Sequence, residues 1–257
     1  VIWEKGNGKR VRVNSILFPF SLSPLTELYW QLSHFLSPTT GMTPQDARQE
    51  APATQRNREP ILEVLLQVLP ASGTILEIAA GTGEHSVFFA PKFKPRQWLP
   101  TDVNPQSLAS ISAWIEHCGC ENIYPPQTLD VREAVWTVET GVVSEWLQTS
   151  PITAIVNINM IHISSWSACL GLMAGANRIL QPGDILYLYG PFKRGGEHTA
   201  PSNAAFDEYL RAQNPEWGVR NLEDVIAVAN AENFVFKQIY QMPANNLSVV
   251  FERSANE

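Results

Sequence analysis

Past residue 41 the chain alternates between two hydrophobic periods, that of a buried strand and that of an amphipathic helix. Gln55–Leu69 carries apolar residues at Ile61, Leu62, Leu65, Leu66 and Leu69, which is helical spacing, and Pro70 with Gly73 ends it. Pro60 falls inside the pattern and is expected to start or kink the helix, leaving Arg56-Asn-Arg-Glu59 as a polar lead. Ile75, Leu76, Ile78 and Ala79 then form a short apolar run between Gly73 and Gly81, as in a strand buried in a parallel sheet. The pattern continues with a helix over Glu84–Ala90, a strand over Gln97–Asp102 and an amphipathic helix over Pro105–Cys118. Ile123–Leu129 reads as a third strand, placed at a sheet edge by Pro125 and Pro126, which cannot donate to a ladder. Val135–Leu147 is expected to be helical despite Gly141, Ile152–Ile158 is a continuous apolar strand, and Trp166–Leu180 is a helix closed by Gln181-Pro-Gly183.

Asp184–Tyr189 is the fifth strand and opens into Gly190-Pro-Phe-Lys-Arg-Gly-Gly196, read as a flexible loop. Ser202 or Asn203 is expected to cap a helix running through Arg211, and Leu222–Asn230 forms another. Phe234–Tyr240 and Leu247–Phe251 alternate in strand fashion around Met242-Pro-Ala-Asn-Asn246, a terminal antiparallel hairpin. Strand–helix alternation of this kind implies right-handed crossovers and an α/β fold: a doubly wound, mostly parallel seven-stranded sheet with a C-terminal antiparallel hairpin. Ligands in such sheets bind beyond the carboxyl ends of the strands, where the strand order reverses.

Composition narrows the class. The chain has 257 residues, of which 44% are hydrophobic and 17% charged, enough for a full core in one domain. A net charge of −7 disfavours a broad nucleic-acid-binding face. Three cysteines (Cys118, Cys120, Cys169) read as free thiols of a cytoplasmic protein, and His117-Cys-Gly-Cys120 has no second cluster to complete a metal site. No apolar run approaches the ~20 residues of a membrane span. Residues 1–41 lack clear periodicity and place a basic patch (Lys5, Lys9, Arg10, Arg12) before an apolar stretch. They are read as an extension upstream of a natural start at Met42, or an added arm, with 42–257 as a single domain.

The chemistry gathers around Thr74-Ile-Leu-Glu-Ile-Ala-Ala-Gly-Thr-Gly-Glu-His-Ser86, which passes from strand through a glycine turn into a helix. Glycine permits positive φ angles and close ligand approach, and the helix start offers free N–H groups. A dehydrogenase fingerprint needs a third glycine, which Gly81-Thr-Gly-Glu-His-Ser86 lacks, and the phosphate-binding G-x-x-x-x-G-K-S/T loop is absent. What remains is Glu77 within the first strand, the G-x-G turn, and Asp102 ending the second strand.

That set resembles the class I S-adenosylmethionine-dependent methyltransferases, with their Rossmann-like sheet and a first motif of the form acidic-x-x-x-G-x-G. Arg56-Asn-Arg-Glu-Pro-Ile61, Asn159-Met-Ile-His162, His198-Thr-Ala-Pro-Ser-Asn-Ala-Ala-Phe-Asp207 and Met242-Pro-Ala-Asn-Asn246 are similar to the DUF938, or methyltransferase-like 26, family. The resemblance implies S-adenosylmethionine as cofactor. Backbone at Ala79, Gly81, Thr82 and Gly83 would face its methionine part, with Glu77 holding the turn or the ammonium. Asp102, beside Val103, would accept the ribose hydroxyls. Asp130 and Val131 would flank the adenine, and Asn157 or Asn159 would line the floor by the sulfonium. His162, after the fourth strand, is the candidate general base, since an unperturbed imidazole titrates near neutrality. Tyr189, Phe192, Lys193, His198, Ser202 and Asn203, together with Arg58, are the candidate acceptor-side residues, and Lys193 and Arg194 could meet an anionic acceptor. The N-P-P-Y signature of base-amino methyltransferases is missing, with Asn157-Ile-Asn-Met160 in its place, which favours a small-molecule acceptor. A non-catalytic S-adenosylmethionine-binding scaffold and, less favoured, an NAD(P)-dependent oxidoreductase remain open as alternatives.

Overall fold

The computed structural model describes residues 46–255; the expected extension over residues 1–41 and the start at Met42 lie outside them. The strands of the main sheet are β1 (Thr74–Ile78), β2 (Gln97–Asp102), β3 (Gln127–Thr128), β4 (Ile152–Ile158) and β5 (Ile185–Gly190), followed after a small subsheet by β9 (Phe234–Met242) and β10 (Asn246–Arg253). They pair in the order β3-β2-β1-β4-β5-β10-β9. The first five are parallel and the last two antiparallel, as the strand–helix alternation followed by a hairpin predicts. Strand order reverses between β1 and β4, so the crevice above these two strands is where a ligand has room.

Side-chain alternation splits the core into two layers. Tyr187 and Tyr189 of β5 face one side, with Ala154 and Val156 of β4 and the apolar stripe of helix α1 (Pro52–Val68). Leu186 and Leu188 face the other, packed with α5 (Trp166–Ile179) and α7 (Leu222–Ala231). The second layer is tight: a Cβ on Gly175 of α5 would lie 1.9 Å from Trp136 Cζ2, and one on Gly171 would lie 2.3 Å from the carbonyl oxygen of Val131. The two missing side chains let α5 press on the segment that follows β3.

Several expected boundaries move for local reasons. Helix α1 starts at Pro52 and runs through Pro60, so residues 56–59 lie inside it and Asn57 turns inward. One missing N–H removes a single helical bond, and the buried contacts of α1 outweigh that loss. The edge strand shrinks to Gln127–Thr128, with one further bridge between Trp98 and Ile123, because Pro125 and Pro126 interrupt the ladder. The helix expected over Val135–Leu147 begins only at Gly141, as α4 (Gly141–Thr149), since Gly141 has φ +65°. The expected loop at 190–196 is a hairpin of β6 (Phe192–Arg194) and β7 (Glu197–His198), turned by Gly195 and Gly196 and extended by parallel pairing to β8 (Arg220–Asn221). Helix α6 (Pro201–Gln213) starts on Ala200 and Pro201, without a side-chain cap from Ser202 or Asn203. Among the described residues no helix is long and apolar enough to cross a membrane.

Candidate functional site

The turn after β1 is held by its neighbours' backbone and by three carboxyl groups. Ala80 N–H donates to the Thr101 carbonyl at 2.8 Å, and Gly81 N–H to Asp102 Oδ2 at 2.9 Å. Gly81 (φ +58°) has open space where a side chain would project. Gly83 (φ +88°) precedes α2 (Glu84–Phe89), and a Cβ there would lie 2.8 Å from Ile111 Cα of α3 (Pro105–Cys118). Close packing, the task of the third glycine in a dinucleotide turn, here falls to Gly83. Ala79, just before, also takes a positive φ, and Thr82 bonds through its hydroxyl to Glu84.

Glu77 is buried in β1, where Oε2 accepts from Ser86 Oγ at 2.5 Å and from Trp98 Nε1 at 2.7 Å. Burial outweighs these two donors and pushes its carboxyl up to about 7. Asp102 accepts from Gly81 N–H and, through Oδ1, from Asn104 N–H at 2.9 Å; burial raises it above the ordinary carboxylate range. Glu84 is likewise raised by burial, and it ties the turn to the start of α1 through Ala51 N–H, just before the helix, and Gln55 Nε2 in its first turn. Among the described residues none of the three is ion-paired. Beside them Val103 is 56% exposed, an apolar wall next to Asp102.

The third-strand residues are placed otherwise. Asp130 forms a two-pronged pair with Arg132, at 2.9 Å from Nε and 2.6 Å from Nη2, which lowers its carboxyl. Val131 packs into the core, taking its side chain off the accessible surface. Asn157 is buried and donates to the Ile78 carbonyl at 3.0 Å, bridging β4 to the end of β1. Asn159 has φ +64° and donates its N–H to the Tyr189 carbonyl at 2.9 Å, so the β4 and β5 ends are joined.

His162 is buried against Phe206 and Gly190; its Cε1 lies 2.7 Å from where a Gly190 Cβ would stand, and its Nδ1 has no hydrogen-bond partner among the described residues. Burial pushes it down to about 3, with the nearby Arg220 charge acting in the same sense. The loop carrying His162 is pinned by Arg220, which donates to the carbonyls of Ile161 at 2.9 Å and Ser164 at 2.6 Å.

Of the acceptor-side candidates, Lys193 and His198 turn inward to the buried Asp207, at 2.9 and 3.3 Å, and Arg211 joins the same carboxylate. Lys193 is therefore committed inside the chain, where a lysine on a flexible loop would be free for an anion. Phe192 is buried in the core. Ser202 and Asn203 clasp the β9–β10 turn, Ser202 accepting from Asn245 Nδ2 and Asn203 donating to the Asn245 carbonyl at 3.0 Å.

Tyr189 differs from these. Its hydroxyl, on the α1 face, is bonded by the side chains of Asn57 and Asn246, and burial pushes it up to about 12. Asn57 Oδ1 in turn lies 2.8 Å from His85 Nε2. Arg58 stacks over Phe88 at 4.6 Å. The pattern reading passed over Asn57, His85, Glu84 and Arg220; the first three could have been signalled by their place on inward helix faces or beside the glycine turn, whereas Arg220, in the two-residue strand β8, carried no local signal.

Comparison with known proteins bears on the family and the fold. A family profile described as "Protein of unknown function (DUF938)" matches residues 48–253. Among solved structures, an O-methyltransferase family protein from Burkholderia thailandensis is similar at 11% identity and TM-score 0.62, over 77% of this chain and 57% of that one. An O-methyltransferase family 2 protein from Planctomyces limnophilus, in complex with apigenin, is similar at 17% identity and TM-score 0.58, over 76% of this chain and 61% of that one. The S-adenosylmethionine-dependent methyltransferase SibL is similar at 15% identity and TM-score 0.61, over 92% of this chain and 71% of that one. The chain thus has the class I methyltransferase fold and spans under two thirds of the length of the first two.

Proposed function

The chain belongs to the DUF938 family, and from that premise we propose that it is an S-adenosylmethionine-dependent methyltransferase acting on a small-molecule acceptor. The observation that carries this reading is the glycine turn at the switch in strand order, ringed by Glu77, Glu84 and Asp102, three carboxyl groups raised by burial and ion-paired by no described residue. A site so built favours a cation, and S-adenosylmethionine carries both an ammonium and a sulfonium. Gly81 leaves space above the turn, and Asp102 retains lone pairs for ribose hydroxyls beyond the two N–H bonds that it accepts. Val103 would cover an adenine face; Asp130, held by Arg132, keeps acceptor capacity beside it.

The cofactor supplies an activated methyl group; the chain's part is to bind, orient and exclude water. Asn157 and Asn159 join β1, β4 and β5 into the floor on which donor and acceptor would meet. His162, held near 3 by burial, is neutral at pH 7 and a weak proton acceptor, so we give it an orienting role through Nδ1 in place of the base role.

Calorimetric titration with S-adenosylmethionine, S-adenosylhomocysteine and NAD tests the reading. Both sulfur ligands are expected to bind, and Asp102→Asn to weaken them by about tenfold or more, the loss of ~1.5–3 kcal/mol for hydrogen bonds to a charged group. Binding of NAD alone would overturn it. Cofactor binding without turnover across an acceptor screen would leave a non-catalytic binding protein.

A further inference from the structure

Resting on the methyltransferase reading, we propose that the acceptor is a small molecule that arrives with an anionic oxygen, a carboxylate or acidic phenolate, and is recognised at the end of β5 by Tyr189 with Arg56 and Arg58 of α1. Three elements meet around Tyr189 of β5: α1 brings Asn57 and β10 brings Asn246 to the hydroxyl, and α2 brings His85 to Asn57. The side-chain amides of Asn57 and Asn246 lie beside the phenol oxygen and oppose the effect of burial on it. No hydrogen bond is made by its own proton to a described residue, which leaves the O–H as a donor for a ligand. Burial keeps the group protonated at neutral pH, as a donor must be.

Charge singles out the same place. The chain carries a net charge of −7, yet neither Arg56 nor Arg58 is ion-paired within the described residues. Arg58 Nε is buried without a hydrogen-bond partner while its guanidinium lies over Phe88, a ring that also carries Lys92 at 4.8 Å. The Arg56 charge reaches the Tyr189 hydroxyl and opposes the effect of burial there. Most other basic groups near the carboxyl ends of the strands are already used, Lys193 and Arg211 on Asp207, Arg132 on Asp130 and Arg220 on backbone carbonyls, while Arg194 stands exposed at the turn of the β6–β7 hairpin. Unpaired positive charge therefore stands on α1, the helix whose Gln55 also bonds Glu84 beside the glycine turn.

This polarity suits the reaction. The oxyanion forms an O–CH3 bond as the CH3–S bond breaks, and that bond's electron pair returns to sulfur; the two opposite charges vanish together. No proton has to be removed, which fits a site whose nearest histidine is a weak base. A neutral alcohol would need a stronger base than His162.

The test uses the full chain. Affinity for S-adenosylhomocysteine is measured first by calorimetry, and then benzoate and salicylate are compared with neutral benzamide and cationic benzylamine on the loaded protein. The anions are expected to bind at least tenfold more tightly than benzamide. Arg56→Gln with Arg58→Gln should remove that preference while leaving S-adenosylhomocysteine affinity within twofold, and Tyr189→Phe should weaken the anions at least threefold. Circular dichroism checks folding; should the arginine variant not fold, the wild-type comparison and Tyr189→Phe decide. S-adenosylhomocysteine binding with no preference for the anions, or a preference that survives these substitutions, overturns the inference alone. Failure to bind S-adenosylhomocysteine overturns the methyltransferase reading and the inference with it.

Discussion

Glu77 ties the stability of the protein to pH, with a sign opposite to that of a salt-bridged carboxylate. Its folded-state pKa is raised from 4.5 to about 7, because burial against the ionised form outweighs the donors Ser86 and Trp98. The native state then binds the proton more tightly than the unfolded chain. Stability from this group is complete below the unfolded pKa of 4.5 and is lost as pH rises through about 7. At 1.36 kcal/mol per unit, the shift corresponds to about 3 kcal/mol across that window, roughly 6–12 °C in melting temperature for a domain of this size. Glu84 and Asp102 act in the same sense, whereas Asp46, Asp130, Glu139 and Asp207 are lowered and act in the other. The informative quantity is therefore a difference. Glu77→Gln keeps an oxygen for Ser86 and Trp98 and removes the titration. Urea unfolding of both proteins between pH 4.5 and 8 should show the variant gaining about 3 kcal/mol on wild type as pH rises. A difference independent of pH, or one that falls as pH rises, would refute the assignment.

Other expectations follow from neighbouring features. S-adenosylmethionine binding near pH 7 should release a fraction of a proton as its positive charge lowers Glu77, seen as a buffer-dependent heat that Glu77→Gln abolishes. Gly175→Ala, which sets a methyl 1.9 Å from Trp136, should destabilise by about 1–3 kcal/mol in urea titrations, with the fold retained. Gly83→Ala meets both a positive φ and the α3 backbone, and should cost at least about 1–2 kcal/mol and weaken the cofactor together with stability. Asp207→Asn strands Lys193, His198 and Arg211 and should cost about 1–3 kcal/mol, with faster hydrogen exchange in the β6–β7 hairpin than in β4.

The features readable in the chain are those set by neighbours in sequence. Thr74–Gly83 declares itself as strand and turn because a short apolar run leads into the paired glycines Gly81 and Gly83, and strand–helix alternation with right-handed crossovers gives a parallel sheet covered on both faces. Asp102 ends its strand and Asn157 is the last residue but one of its own, so both stand near the carboxyl edge. Proline signals were weaker guides: Pro125 and Pro126 did shorten β3, but Pro60 sits mid-helix, since the packing of Ile61 and Leu65 exceeds the loss of one bond.

Sequence by itself thus determined the fold class, the glycine turn and the residues at its rim, because strand period, turn chemistry and crossover handedness are local rules. Tertiary structure alone decided which polar groups are still free to act. Lys193 is taken by Asp207, fourteen positions on, whereas Asn57 meets His85 across twenty-eight and Glu77 meets Trp98 across twenty-one. Burial, which no single position reveals, then sets their charge: Glu77 and Tyr189 go up and His162 goes down. A residue's type names what chemistry it can do; its packing and its partners decide whether any of that chemistry remains for a ligand.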